Sequence, residues 1–181
     1  MQSYNYDGAY IRPIEPTDLE KLRLHRNDYS TWVNLSNIVL LYKEQQEQWY
    51  LSLISDNTKK YFIVYMLEDM YDSTIFTPIN VGLVRMDEID YINRSIRVGC
   101  DIFMEFRDRG YATKTMQLIK NYCFDFLNMH RMWLLVAEFN KPAITVYTKV
   151  GFAEEGRQKG ALYKHGTYHD YIMMSLIRKE G

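Results

Sequence analysis

The chain has 181 residues, 47% of them hydrophobic, and its 22 basic and 23 acidic side chains give a formal net charge of −1. That composition excludes a disordered chain, and the charge balance argues against nucleic acid as the main partner, since phosphate binding needs a basic surplus on some face. No run approaches the ~20 apolar residues that span a bilayer, and two isolated cysteines with four scattered histidines predict neither a disulfide framework nor a metal site.

Tyr10–Pro13 reads as a short strand. Thr17-Asp18-Leu19-Glu20 reads as a capping box, the Thr17 hydroxyl accepting from first-turn amides while Glu20 reaches back, and it opens a helix to about Asp28. Lys43–Ile54 predicts a second helix with Trp49 and Leu53 on one face. YFIVYML, Tyr61–Leu67, is rich in β-branched and aromatic residues and reads as a buried strand, followed by a loop from Glu68 to Pro78. Asn80–Asp87 and Ser95–Phe103 predict two strands around a polar turn at Asp90–Arg94. From Ala112 the period becomes helical, with Met116, Ile119, Cys123, Phe126 and Leu127 on one stripe. Arg131–Glu138 returns to strand, Asn140 and Pro142 open a helix that Gly151 ends, and two last strands flank His165-Gly166. This order predicts one mixed α/β domain over 1–181, in a soluble, reducing, cytoplasmic setting.

The stretch that carries chemistry is Phe103–Ala112. Arg107, Gly110 and Ala112 form R-x-x-G-x-A between a strand and an amphipathic helix. A glycine there lets the backbone bend around a ligand, and first-turn amides without intrahelical acceptors can hold an anion, helped by the macrodipole. Arg107 and Arg109 add donors suited to phosphate oxygens. On these six residues alone, a turn glycine between solvated arginines reads equally well.

A second cluster, N-K-P-A-I-T-V-Y-T-K-V-G-F from Asn140, follows the strand WLLVAE. In this order and at this distance, the two motifs together resemble the GNAT superfamily of acyl-CoA-dependent N-acetyltransferases. The opening IRPIEPTDLEKLRLHRND and closing EEGRQKGALYKHGTYHDYIMMSLI resemble the branch of ribosomal-protein N-terminal, spermidine and nucleotide-amino-sugar acetyltransferases. The resemblance implies a mixed α+β sheet with splayed central strands and acetyl-CoA in the gap, with no metal. It implies that amides of Ile102, Phe103 and Met104 hold the pantetheine arm. Those of Arg107, Asp108, Arg109, Gly110, Tyr111, Ala112 and Thr113 would hold the pyrophosphate, while Asn140 and Lys149 lie along the cofactor. Asp108 stands where many relatives have glycine.

Tyr147, in N-x-x-A-x-x-x-Y, is the candidate acid for the departing thiolate. Glu138 and Asp101 are the candidate bases, Glu138 slightly ahead; Arg97 stands where several relatives carry an acid. The acceptor expected from the N-terminal half is a small-molecule amine, a nucleotide-linked amino sugar held by Arg26, Asn27 and Trp32. A polyamine is the rival, with Glu44, Glu47, Asp87, Glu88 and Asp90 as its carboxylates, and a protein N-terminus is third. An acyl-CoA-binding module without turnover is the reading from another class. No membrane partner is expected, and a homodimer is compatible with the resemblance.

Overall fold

Alternating β-branched and aromatic residues build one eight-stranded sheet, and amphipathic helices cover both of its faces. The computed structural model describes residues 4–35, 40–69 and 76–179. Strands β1 (Tyr4–Tyr6) and β2 (Ala9–Pro13) lead into a 3-10 turn (Pro16–Asp18), α1 (Leu19–Asn27), the short α2 (Tyr29–Trp32) and α3 (Lys43–Ser55). β3 (Lys60–Asp69), β4 (Phe76–Asp90) and β5 (Ser95–Ile102) follow as an antiparallel meander. After a 3-10 turn (Met104–Phe106) come α4 (Tyr111–Asn121), β6 (Arg131–Ala137), α5 (Lys141–Val150), β7 (Ala153–Lys164) and β8 (Thr167–Ile177).

The order across the sheet is β1-β2-β3-β4-β5-β6-β8-β7, antiparallel except between β5 and β6. Cross-strand partners share a face. Leu83 opposes Asp101 and packs with Ile14, Leu19, Leu22 and Ile63 under α1 and α3. The other face of β5, Val98 and Ile102, joins Met116, Ile119, Leu134 and Tyr147 beneath α4 and α5. Burying each large aliphatic side chain in these layers contributes about 1.5–3 kcal/mol.

Four details differ from the sequence reading. The helix start is set by Asp18, not Thr17: its Oδ2 accepts from the Glu15 amide at 2.8 Å while both its oxygens take Arg12 at 2.7 and 2.8 Å. β3 reaches Asp69 and β4 begins at Phe76, so strand occupies much of the expected Glu68–Pro78 loop, and the remainder lies outside the described residues. The strand expected to run to Phe103 ends at Ile102, as Phe103 turns into the core under α1. A π-turn, Tyr122–Phe126, closes with Leu127 N–H donating to Tyr122 O at 3.1 Å. The extra residue rotates the helical stripe, and Phe126 comes out 66% exposed.

Arg12 and Asp18 are 7% and 8% exposed, and Tyr65 Oη accepts a further Arg12 N–H at 2.8 Å. Asp18→Ala leaves that guanidinium buried without its carboxylate, so we expect a loss of roughly 3–5 kcal/mol in a denaturant titration. Asp18→Asn, which retains an acceptor oxygen, is expected to cost less.

Candidate active site

β5 and β6 pair only at Ser95–Arg131, Ile96–Met132 and Arg97–Trp133. Beyond that point β5 stays bonded to β4 and β6 to β8, but not to each other. A cleft of about 640 Å³ opens in the fork. Its walls are β5 from Arg97 to Ile102, β6 from Leu135 to Ala137, the entry to α4, and the inner side of α5.

The α4 entry is built for close backbone approach. Gly110 has φ +77 and accepts the amides of Thr113 and Lys114, at 3.1 and 3.2 Å. The amides of Asp108, Gly110 and Ala112 have no acceptor among the described residues. Orphan amides at the positive end of an eleven-residue helix form an anion cradle, which fits the pyrophosphate of an acyl-CoA. Asp108 itself sits at φ +61, the left-handed region that glycine occupies without strain.

Other cofactor candidates are employed differently. Arg107 is spent on the protein: Nε donates to Ile102 O at 3.2 Å, Nη1 to Ser30 Oγ at 3.1 Å and Nη2 to Thr31 Oγ1 at 2.9 Å. Its amide donates to Met104 O. It braces α2 against the end of β5 and also lines the cleft. The Phe103 amide donates to Val81 O at 2.9 Å, and neither Phe103 nor Met104 lines the cleft, so of that trio only Ile102 reaches it. Arg109 lies outside the lining, with its guanidinium 5.7 Å from the Phe106 ring centre. Tyr111, Ala112 and Thr113 line the cleft, as do Asn140 and Lys149. Asn140 also caps α5, its Oδ1 accepting from Ala143 N at 3.3 Å.

Tyr147 is 9% exposed and lines the cleft, and its phenol makes no hydrogen bond among the described residues. Burial raises its pKa, Cys100 and Asp101 push it further, and Arg85 opposes them, so the phenol keeps its proton. Burial also pushes the Cys100 thiol up to about 12. Asp101 lines the cleft, with Oδ2 3.2 Å from Arg85 Nε. Glu138 does not: Oε1 accepts from the Asp170 amide at 3.1 Å, and Arg157 and His169 lie 3.8 Å away. The strand's last turn aims it across β8.

The three acceptor candidates are not gathered together. Asn27 ties down the returning chain through Leu41, donating to its O at 3.0 Å and accepting from its N at 2.8 Å. The Trp32 carbonyl accepts from buried Lys164 at 3.0 Å, and its side chain lies outside the cleft. Arg26 remains, interacting with Arg85, Asp101 and Tyr61. Sequence reasoning passed over His25 and Arg85, which both line the cleft. Helical spacing from Leu19 and Leu22 and strand alternation from Leu83 were the available signals.

A strand fork, an anion cradle and a buried phenol together define an acyl-CoA-dependent N-acyltransferase. The family model of the Acetyltransferase (GNAT) domain matches residues 9–153, and the chain belongs to that family; it is an acetyl-CoA-dependent N-acetyltransferase. It is 30% identical over 173 residues to the spermidine N(1)-acetyltransferase of Vibrio cholerae serotype O1, covering 94% of this chain and 93% of that one. It is 26% identical over 176 residues to the putative ribosomal N-acetyltransferase YdaF of Bacillus subtilis, covering 94% and 91%. The crystal structure of spermidine N-acetyltransferase from Vibrio cholerae in complex with CoA and spermine superposes with a TM-score of 0.83 at 27% identity, covering 95% of this chain and 96% of that one. Among the described residues no helix is long and apolar enough to cross a membrane, and no group of three or more His, Cys, Asp or Glu could hold a metal.

Asp108→Gly removes both a left-handed non-glycine residue and a carboxylate beside the orphan amides. We expect tighter acetyl-CoA binding by calorimetry, with relief of about 1 kcal/mol from the backbone alone.

Proposed function

We propose that the chain moves acetyl directly to an aliphatic primary amine, with Tyr147 as general acid and Asp101 as general base. The observation that carries this reading is the Tyr147 phenol, buried at the fork and held in its protonated form. Bound acetyl-CoA supplies an activated acyl thioester. The chain does the rest. Orphan amides at the α4 entry anchor the cofactor's phosphates. The exposed backbone of β5 between Val98 and Ile102 offers donors toward charge developing on the acyl oxygen.

An alkylamine is mostly protonated at neutral pH, so it must lose a proton before it attacks. Asp101 is the β5 carboxylate that faces the cleft, and it accepts that proton directly or through water. Tyr147 returns a proton to the departing thiolate. Binding both substrates in one cleft makes the attack effectively unimolecular.

Among acceptors, the relatives' names support a polyamine over the sugar nucleotide expected from the N-terminal half. None of the proteins named above is an amino-sugar enzyme, and the Vibrio cholerae structure carries spermine. Another structure of that Vibrio cholerae enzyme is described as dodecameric, which supports assembly from several copies and extends the expectation of a homodimer.

Tyr147→Phe is expected to lower kcat by roughly 10²–10⁴-fold while leaving acetyl-CoA affinity nearly unchanged. Thiol release and calorimetry on the same preparation measure the two quantities. A variant that turns over like the parent would remove Tyr147 as the acid.

A further inference from the structure

The wall of the cleft facing α1 carries the guanidinium groups of Arg85 and Arg97 beside the carboxylates of Asp87 and Asp101. Tyr61, Arg85 and Gly99 lie in register across β3, β4 and β5. A Cβ at Gly99 would sit 3.1 Å from Arg85 Nη2 and 3.5 Å from its Cζ, so the guanidinium lies across bare backbone. Arg97, two residues earlier on the same face, also lines the cleft, and α1 brings His25 to it, while Arg26 lies outside the lining within electrostatic reach of Arg85 and Asp101.

The acids of this wall are already engaged. Asp101 pairs with Arg85, and Asp87 accepts from the Tyr61 phenol. Of the five carboxylates that could have greeted a polycation, only Asp87 lines the cleft. Glu88 is exposed and pairs with Arg97 at 3.0 Å, Glu47 lies 3.9 Å from Lys43, and Asp90 accepts from the amides of Ile92 and Asn93.

Arg97 donates to Glu88, but other donors of this wall keep nitrogens without an acceptor. Arg26 is half-buried and its guanidinium makes no hydrogen bond among the described residues; burial first, then the charge of Arg85, hold its pKa below the ordinary arginine value. Arg85 Nε is buried, and its approach to Asp101 is off the hydrogen-bond direction. His25 Nε2 is buried without a partner. Thr31 Oγ1 accepts from Arg107 Nη2 at 2.9 Å and lies 3.3 Å from His25 Nδ1, and we assign its hydroxyl proton to that contact. That assignment leaves the proton of neutral His25 on Nε2. Buried donors without acceptors carry a desolvation cost that an anion removes.

We propose that the acceptor amine carries an anionic group of its own, a phosphate or a carboxylate, received by Arg26, Arg85 and His25 with Arg97 beside them. The inference rests on the acetyl-transfer reading and sets this chain apart from its polyamine-acetylating relatives. A free polycation entering beside α1 meets guanidinium groups, and the two carboxylates of this wall, Asp87 and Asp101, already have partners.

Calorimetry on the CoA-saturated protein tests it, with phosphoethanolamine, 4-aminobutyrate and spermidine as probes. Saturating with CoA keeps its own phosphate cradle out of the measurement. At least one anionic amine is expected to bind roughly tenfold tighter than spermidine, and to weaken by about tenfold in Arg26→Gln and Arg97→Gln, the scale of one charged hydrogen bond. Which of the two binds separates phosphate from carboxylate. Spermidine binding as tightly as either, no binding by any probe, or unaltered affinity in both variants overturns the proposal. Thiol release in the same mixtures separates the two readings: an anionic amine that binds without release sinks the transfer reading alone, whereas release with spermidine only sinks this one.

Discussion

The parting of β5 from β6 is the constraint on which the site depends. A strand interior to a sheet normally bonds on both sides, and a buried backbone group left unpaired is costly. Here each strand keeps its outer ladder, β5 to β4 as far as Ile102 and β6 to β8 as far as Ala137, and gives up the inner one. The fork is pinned where Ile96 and Met132 pair, both wholly buried. Past that pin, the sheet presents backbone polar groups to a cleft wide enough for a ligand. The fold therefore leaves backbone hydrogen-bonding groups open along the fork, an edge to which a peptide-like group can bond.

The acceptor wall is held in place by residues remote in sequence. α2 is tied on one side by Arg107 through Ser30 and Thr31, and on the other by Lys164 through the Trp32 carbonyl. Asn27 and Leu41 close the segment between α1 and α3. Burying Lys164 lowers its pKa through desolvation, a cost accepted for one bond to a backbone carbonyl. Arg107 links the two halves of the chemistry, since it sits at the mouth of the cofactor loop and grips the helix that borders the acceptor. Orientation of two substrates needs such cross-bracing, because misplacement of about 1 Å weakens effective concentration steeply.

Much of this was legible in the sequence, and the illegible part follows a rule. Period-2 runs such as YFIVYML and the apolar stripe of α4 announce their elements because local geometry alone produces them. The R-x-x-G-x-A turn and the Asn140 cap are equally local. The differences from the sequence reading mostly concern what stands opposite a residue. Arg107, a candidate phosphate ligand by its motif, donates to Ser30 and Thr31, 77 and 76 residues away in sequence. Glu138, a candidate base by its place after β6, lies outside the cleft lining, where its Oε1 accepts from the Asp170 amide. Thr17 satisfies a capping pattern, yet Asp18 wins because Arg12 arrives from β2 to hold its carboxylate. Phe126 left its stripe because one residue of π-turn changed the phase.

The division between what relatives share and what this chain decides for itself has the same physical origin. The fork, the amide cradle and the phenol act through backbone and one side chain, so they serve any acyl-CoA N-acetyltransfer. Side chains on one face of β4 and β5 and on the end of α1 can change charge and leave strand register untouched. Alternation fixes Arg85, Arg97 and Asp101 on that face whatever the substrate. At about 30% identity such positions are free to reverse sign while the sheet and helices superpose closely. The reaction can thus be read from the family, while the acceptor has to be read from the charges of this cleft.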